Sequence, residues 1–261
     1  RYMPDFFIFE NVKGILSAKD EFNNLIMDNM RNDFLSVGYR FKYDILNASD
    51  FGVVQNRVRV IIFGYKNGYD GPFPIYKRHP SDLIIKDLFK DLPKLSQGSE
   101  SNRYLDVQFL HCLRTPEDIL TQHIARPNNA LDLEIYKKAV RLYNKGSRLK
   151  YDDLPERLKT HNNRSSFVDR FKVIDLYGKS HTIVAHIGKD GHYYIHPDIN
   201  QNRSLTVREV ARIQSFPDNY YFESSRTSAL TQIGNAVPPL LAKEIANSIY
   251  EIYQETKEKK A

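Results

Sequence analysis

Phe6-Phe7-Ile8-Phe9-Glu10-Asn11-Val12-Lys13-Gly14 decides how the chain is read. Four apolar residues in a row, closed by a polar turn, predict a short strand buried on both faces, as in parallel sheets. Arg1-Tyr2-Met3-Pro4 leads into it with almost no preamble, so residue 1 reads as a cut inside a domain. Downstream, residues 20–37 place Phe22, Leu25, Ile26, Met30 and Phe34 roughly on one face, which predicts a helix stopped by Gly38. A second strand is expected over 43–46, a turn over 47–52 and a third strand over 58–65. Strand, helix, strand, strand is the closing half of an open α/β sheet. Such a half leaves an apolar strand edge that needs a partner, either a missing N-terminal half or a second copy.

Residues 67–80 are rich in proline and glycine, and 96–102 read as a polar loop. From there to about residue 198 the pattern is irregular, with short β-like runs at 171–176, 182–186 and 193–196. Residues 137–172 carry eleven Lys and Arg against four acids, which fits either a solvated surface or a polyanion contact. Thr206-Val207-Arg208-Glu209 matches a capping box, opening a helix to about Gln214. Leu240, Leu241, Ile245, Ile249 and Ile252 mark a final amphipathic helix over 238–254.

The 261 residues are 41% hydrophobic and 12% aromatic, ample for a folded core. Net charge is +6, a mild bias toward polyanions. Cys112, the single cysteine, excludes an intrachain disulfide and a cysteine-based zinc site; it reads as a small buried hydrophobe. His186, His192 and His196 are scattered loop residues, and no metal site is expected. No apolar run approaches the roughly 18–20 residues that span a bilayer, so no membrane association is expected, and the composition suits a reducing compartment.

Four stretches carry chemistry by their order. They are Glu10-Asn11-Val12, Gln55-Asn56-Arg57-Val58-Arg59, the long run from Arg203 to Asp218, and Gln232-Ile-Gly-Asn-Ala-Val-Pro-Pro239. Glu-Asn-Val alone is ordinary turn chemistry. Two arginines at i and i+2 point the same way on a strand, with Val58 turned into the sheet between them.

Together the four resemble motifs VI, VIII, IX and X of the DNA (cytosine-5) methyltransferase family. The middle of the chain falls where that family keeps its variable target-recognition region. The resemblance implies part of a Rossmann-like, S-adenosylmethionine-dependent α/β sheet over residues 1–70. It further implies a smaller, mostly irregular and β recognition domain over 71–202, and a returning segment with the C-terminal helix over 203–261. The family makes cytosine C5 nucleophilic by adding a cysteine thiolate to C6, and C5 then takes the methyl group of S-adenosylmethionine. By the same resemblance, Glu10 donates to cytosine N3 and contacts the N4 amino group, and Arg59 contacts the O2 edge. Arg57 is a supporting or phosphate-contacting residue, or a surface ion pair. Asn235, with Ala236 beside it, closes over the methyl donor, or is a plain helix cap; Gly234 permits an unusual backbone there. His181-Thr182-Ile183 resembles the family's threonine element beside the flipped nucleotide. Arg164 and Lys172 stand for the basic segment as contacts to double-stranded DNA.

The family's cofactor loop (motif I) and Pro-Cys nucleophile (motif IV) have no counterpart in these residues, and Cys112 has no preceding proline. The chain alone is therefore expected not to methylate DNA. Three readings remain open. It is a piece of a bacterial modification methyltransferase, cytoplasmic and working at the nucleoid. It is the second subunit of a split enzyme, completed by a chain with motifs I and IV. Or it is a non-catalytic DNA-binding module.

Overall fold

The computed structural model describes residues 2–159 and 168–258. The chain packs as two units, one made of Arg1–Ser81 with Val237–Ala261 and the other of Asp82–Ala236. The division differs from the sequence reading: residues 203–236 pack with residues 82–202. The cause is non-local, because side chains of the 203–218 run are buried against residues 88–122.

In the first unit, β1 (Phe6–Val12), β2 (Tyr39–Asn47) and β3 (Val58–Lys66) form one sheet in the order β1-β3-β2. Both pairings are antiparallel, which corrects the parallel, fully buried reading of the first strand. β1 is an edge strand, and Ile8, Phe9 and Val12 on it are exposed. An apolar run records that a strand wants cover, but not whether a neighbouring strand is there to give it. The expected helix over 20–37 is shorter: α1 runs Ile26–Ser36. Asp20 Oδ1 accepts hydrogen bonds from the backbone N–H of Phe22 and Asn24, each 2.9 Å, and this side-chain-closed turn displaces the first helical turn. Phe22 therefore points to solvent.

Strand alternation sorts the sheet's two faces. Val60, Ile62 and Phe41 pack with Met27 beneath α1. Leu46 and Ile61 pack with Ala48, Phe51 and Val53 beneath Leu241 and Ile245 of α6 (Pro239–Glu258). Proline at the first position of α6 costs no hydrogen bond there.

The second unit is mostly irregular. It holds α2 (Ile85–Phe89), α3 (Ala130–Tyr143), α4 (Val207–Ile213) and α5 (Arg226–Asn235). The three β-like runs form no strand; they contribute only the isolated bridges Val173↔Ile195 and Ile195↔Ser204. An apolar core joins Ile135, Tyr136 and Val140 of α3 to Leu158, Phe171 and Ile195. The Thr206 capping box is formed as read: Thr206 N–H donates to Glu209 Oε2 at 2.8 Å, and Glu209 N–H donates to Thr206 Oγ1 at 3.2 Å.

Arg203, Arg208 and Arg212 are almost wholly buried beside α4. Arg203 grips Glu209 with both terminal nitrogens, at 2.8 and 2.7 Å. Arg212 Nη1 donates to Asp91 Oδ1 at 2.6 Å and its Nε to Asp218 Oδ1 at 3.0 Å. Arg114 Nε donates to the same Asp91 at 2.7 Å. A polar network thus anchors this unit where apolar packing would be usual. No helix among the described residues is long and apolar enough to cross a membrane.

Candidate functional site

In the first unit the antiparallel register sets Glu10 of β1 opposite Ile61 and Val12 opposite Arg59 of β3. Glu10 and Arg59 are therefore diagonal neighbours on one face, close enough for long side chains to meet. Arg59 Nε lies 2.7 Å from Glu10 Oε1, with the Glu10 side chain 25% and the Arg59 side chain 10% exposed. Arg59 Nη1 donates to Val58 O at 2.8 Å, which fixes the guanidinium plane. The contact to Glu10 is a charge pair without hydrogen-bond alignment, so the buried Oε1 has no hydrogen bond among the described residues. A carboxyl with one buried, unbonded oxygen beside a fixed guanidinium is arranged for a further polar contact. Between them the two side chains set a carboxyl and a cation side by side at one place on the sheet.

Arg57 departs from one of its two sequence readings, the surface ion pair. It is buried, not a surface ion pair, and its backbone N–H donates to Asn47 Oδ1 at 2.9 Å. Val58 is exposed, although it was expected to face the sheet interior. Val58 is the first residue of β3, on the face where Val60 and Ile62, but not Val58, pack beneath α1, while the face carrying Arg59, Ile61 and Leu46 lies beneath α6 and the Ala48–Phe51 turn.

In the second unit, Asn235 is the last residue of α5, exposed, and its carboxamide makes no hydrogen bond among the described residues. Ala236 follows, half-buried. Gly234 has ordinary helical geometry, not the unusual backbone expected of it. Its role is close approach: a Cβ there would overlap the backbone of Val184 and Ala185. α5 thus lies directly on the turn Ala185–Gly188, which follows the His181-Thr182-Ile183 element. Gly188 repeats the device, since its Cβ would come 3.0 Å from Thr227 O. Gly234→Ala is expected to destabilise this unit by about 1–3 kcal/mol, read as a fall in the urea midpoint, because neither backbone can yield.

Tyr194 holds the threonine element from below. Its hydroxyl donates to Thr182 O at 2.9 Å and accepts from Val184 N–H at 3.1 Å. His181 stacks on Tyr194 and bonds Tyr193 O at 2.8 Å; burial pushes its imidazole down to about 4, so it is neutral. Thr182 itself is half-buried. Lys172 lies 5.0 Å over the Tyr193 ring, and burial, then the charge of Arg148, holds its ammonium below the usual lysine range. The structure thus gathers Thr182, Lys172 and Arg148 around Tyr193 and Tyr194. Lys137 and Arg141 of α3 line a separate cleft of about 510 Å³. Arg164 lies outside the described residues.

The three histidines do not converge. His192 Nδ1 meets the Tyr136 hydroxyl at 2.8 Å, His196 Nδ1 accepts from Asp198 N–H at 3.1 Å, and His186 is exposed. Cys112 is exposed, not the buried hydrophobe expected from its apolar neighbours. Arg126 and Arg226 passed unnoticed in the sequence. Each stands alone in its segment, and nothing local shows that Arg126 reaches Gly188 or that the helix opening at Arg226 packs on it.

The chain is 43% identical to the type II methyltransferase M.Bpa9945I of Bacillus paralicheniformis, over 96% of this chain and 61% of that protein. It is 31% identical to the type II methyltransferase M1.HphI of Haemophilus parahaemolyticus, over 95% and 57% of the two. The chain therefore spans about three-fifths of the length of the curated relatives it matches. Among solved structures, a DNA modification methyltransferase encoded within an Escherichia coli prophage superposes with a TM-score of 0.65 at 21% identity, covering 96% of this chain and 70% of that one. That likeness speaks for the fold. Residues 1–251 match the family description "C-5 cytosine-specific DNA methylase", and the chain belongs to that family.

Proposed function

We propose that these residues grip the target cytosine and the surrounding duplex in a DNA (cytosine-5) methyltransferase of the restriction–modification type. The observation that carries the reading is the Glu10–Arg59 pair, with a buried carboxyl oxygen left for a ligand edge. When a thiolate adds to cytosine C6, negative charge spreads over N3 and O2 of the ring. Glu10 meets it at N3 with a proton and Arg59 at O2 with a positive charge. Arg57, buried beneath the same strand, supports Arg59 by holding the start of β3 to Asn47.

S-adenosylmethionine supplies the electrophilic methyl group when bound. The exposed, unbonded carboxamide of Asn235 fits the polar amino-acid end of that molecule, and half-buried Ala236 fits against it. Thr182, Lys172 and Arg164 contact the DNA beside the extruded base. A protein with this substrate works at the nucleoid of a bacterial cell. Its relatives, named as type II methyltransferases, support the restriction–modification setting.

The thiol comes from outside these 261 residues, since Cys112 is the single cysteine and sits in a Leu-His-Cys-Leu turn. The exposed Ile8, Phe9 and Val12 on edge strand β1 mark where a further strand pairs, from a longer chain or a second subunit. The test is transfer of labelled methyl from S-adenosylmethionine to duplex cytosine. The full-length or reconstituted enzyme is expected to methylate C5, and the 261 residues alone are expected to give no transfer above background. Robust transfer by the isolated chain overturns the placement of the thiol. Duplex binding by the full enzyme without any transfer overturns the enzymatic reading in favour of a DNA-binding module.

A further inference from the structure

Two arginines remain that the reading above does not use. Arg126 Nη2 donates to Gly188 O at 2.9 Å. Arg226 is the first residue of α5, directly before Thr227, whose carbonyl packs against Gly188. Arg126 thus reaches the turn that follows Thr182, and the helix that opens at Arg226 packs on the same glycine of that turn. Neither arginine has an ion-pair partner among the described residues. Asp190 stands close in sequence, but its Oδ1 is taken by His192 N–H at 2.9 Å. Arg226 Nε is buried with no hydrogen bond among the described residues. Burial, and after it the positive charge of Arg126, holds the Arg226 guanidinium below its ordinary range.

Two like charges that act on each other, one with an unsatisfied buried donor, cost stability unless an anion completes them. Guanidinium forks match phosphate oxygens in pairs. We propose that Arg126 and Arg226 clamp one phosphodiester of the DNA strand that passes the Thr182 element. The proposal rests on duplex DNA being the substrate. It assigns a register-fixing contact with no sequence information of its own.

The test is duplex binding by the full-length enzyme, followed by fluorescence anisotropy across a salt series. Loss of one neutralised phosphate lowers the slope of log K against log salt by about 0.9. R226Q and the double variant R126Q/R226Q are both expected to show this fall. Their affinity deficit relative to wild type then shrinks about threefold for each fourfold rise in salt. R226Q removes no hydrogen bond seen in the structure, so its thermal midpoint stays at the wild-type value and it decides the matter even if R126Q, which loses the bond to Gly188, folds poorly. An unchanged slope and affinity in R226Q overturns the clamp while leaving the DNA reading intact. A wild-type enzyme that fails to bind duplex at low salt overturns both.

Discussion

Replacing Arg212 by alanine is expected to lower the stability of the second unit by roughly 3–5 kcal/mol. Arg212 is almost fully buried and bridges Asp91 and Asp218, which are buried as well. Removing it leaves two carboxylates in a low-dielectric interior, with Arg114 facing one and Arg208 the other at 3.5 Å. The penalty is that of uncompensated charge, larger than the loss of any single hydrogen bond. Urea denaturation followed by far-ultraviolet circular dichroism measures it, and a deficit under about 1 kcal/mol would refute the keystone role.

The pH dependence carries a sign that checks the same account. Burial pulls Asp91 upward, but the hydrogen bonds and charge of Arg212, then those of Arg114, outweigh it and hold the carboxyl below the ordinary range. Burial likewise pulls Glu209 upward, and the charge and hydrogen bonds of Arg203 hold it far below. Carboxyls depressed in the folded state add stability above an unfolded value of about 4, and that stability is lost as pH falls through the folded values. His196 works in a higher window: burial pushes it down to about 4, so its contribution is full above an unfolded value of about 6.5 and declines as pH falls toward 4. Wild-type stability should thus fall steadily from neutral pH downward. The deficit of Arg212→Ala should narrow over the acid limb, because protonated carboxyls need no cation.

What the sequence made legible was local or ordered. The capping box at Thr206 and Glu209 is a three-residue relation, and it formed as read. Strands at 43–46 and 58–65 grew only by a few residues at their ends. The order of the four motifs placed the family, because such an order over both ends of a chain is hard to reach by chance. The misreadings have physical causes. The run Phe6–Phe9 has the composition of a central strand, but composition does not say which neighbours a strand has. Phe22 fits a helical face, yet Asp20 offered the backbone a rival set of hydrogen bonds. Arg212 meets Asp91 far upstream, and Arg126 meets Gly188 far downstream. No window on the sequence contains those pairs. Charge is visible residue by residue, but whether it is buried, paired or left for a ligand is a property of the fold.

The largest effect on catalysis is expected at the Glu10–Arg59 pair. In the full-length enzyme, Glu10→Gln should lower the single-turnover methyl-transfer rate by about 10²–10⁴, the usual reach of one positioned acid. Glutamine keeps the size and hydrogen-bonding reach of the side chain and removes only the acidic proton, so duplex binding should survive. Arg59→Ala should lower the rate by about 10²–10³, the cost of one charge-stabilising donor. Glu10 is partly exposed, so water can take up its carboxylate and the fold should hold. Arg59→Lys is the discriminating variant. It keeps the charge but loses the plane fixed by the bond to Val58 O, so it should recover only part of the rate if orientation matters. Because both side chains are proposed to act on one ring, the double variant should lose less than the product of the single losses. Unchanged rates in both single variants would remove the assigned roles. Fully multiplicative losses would place the two residues at separate steps.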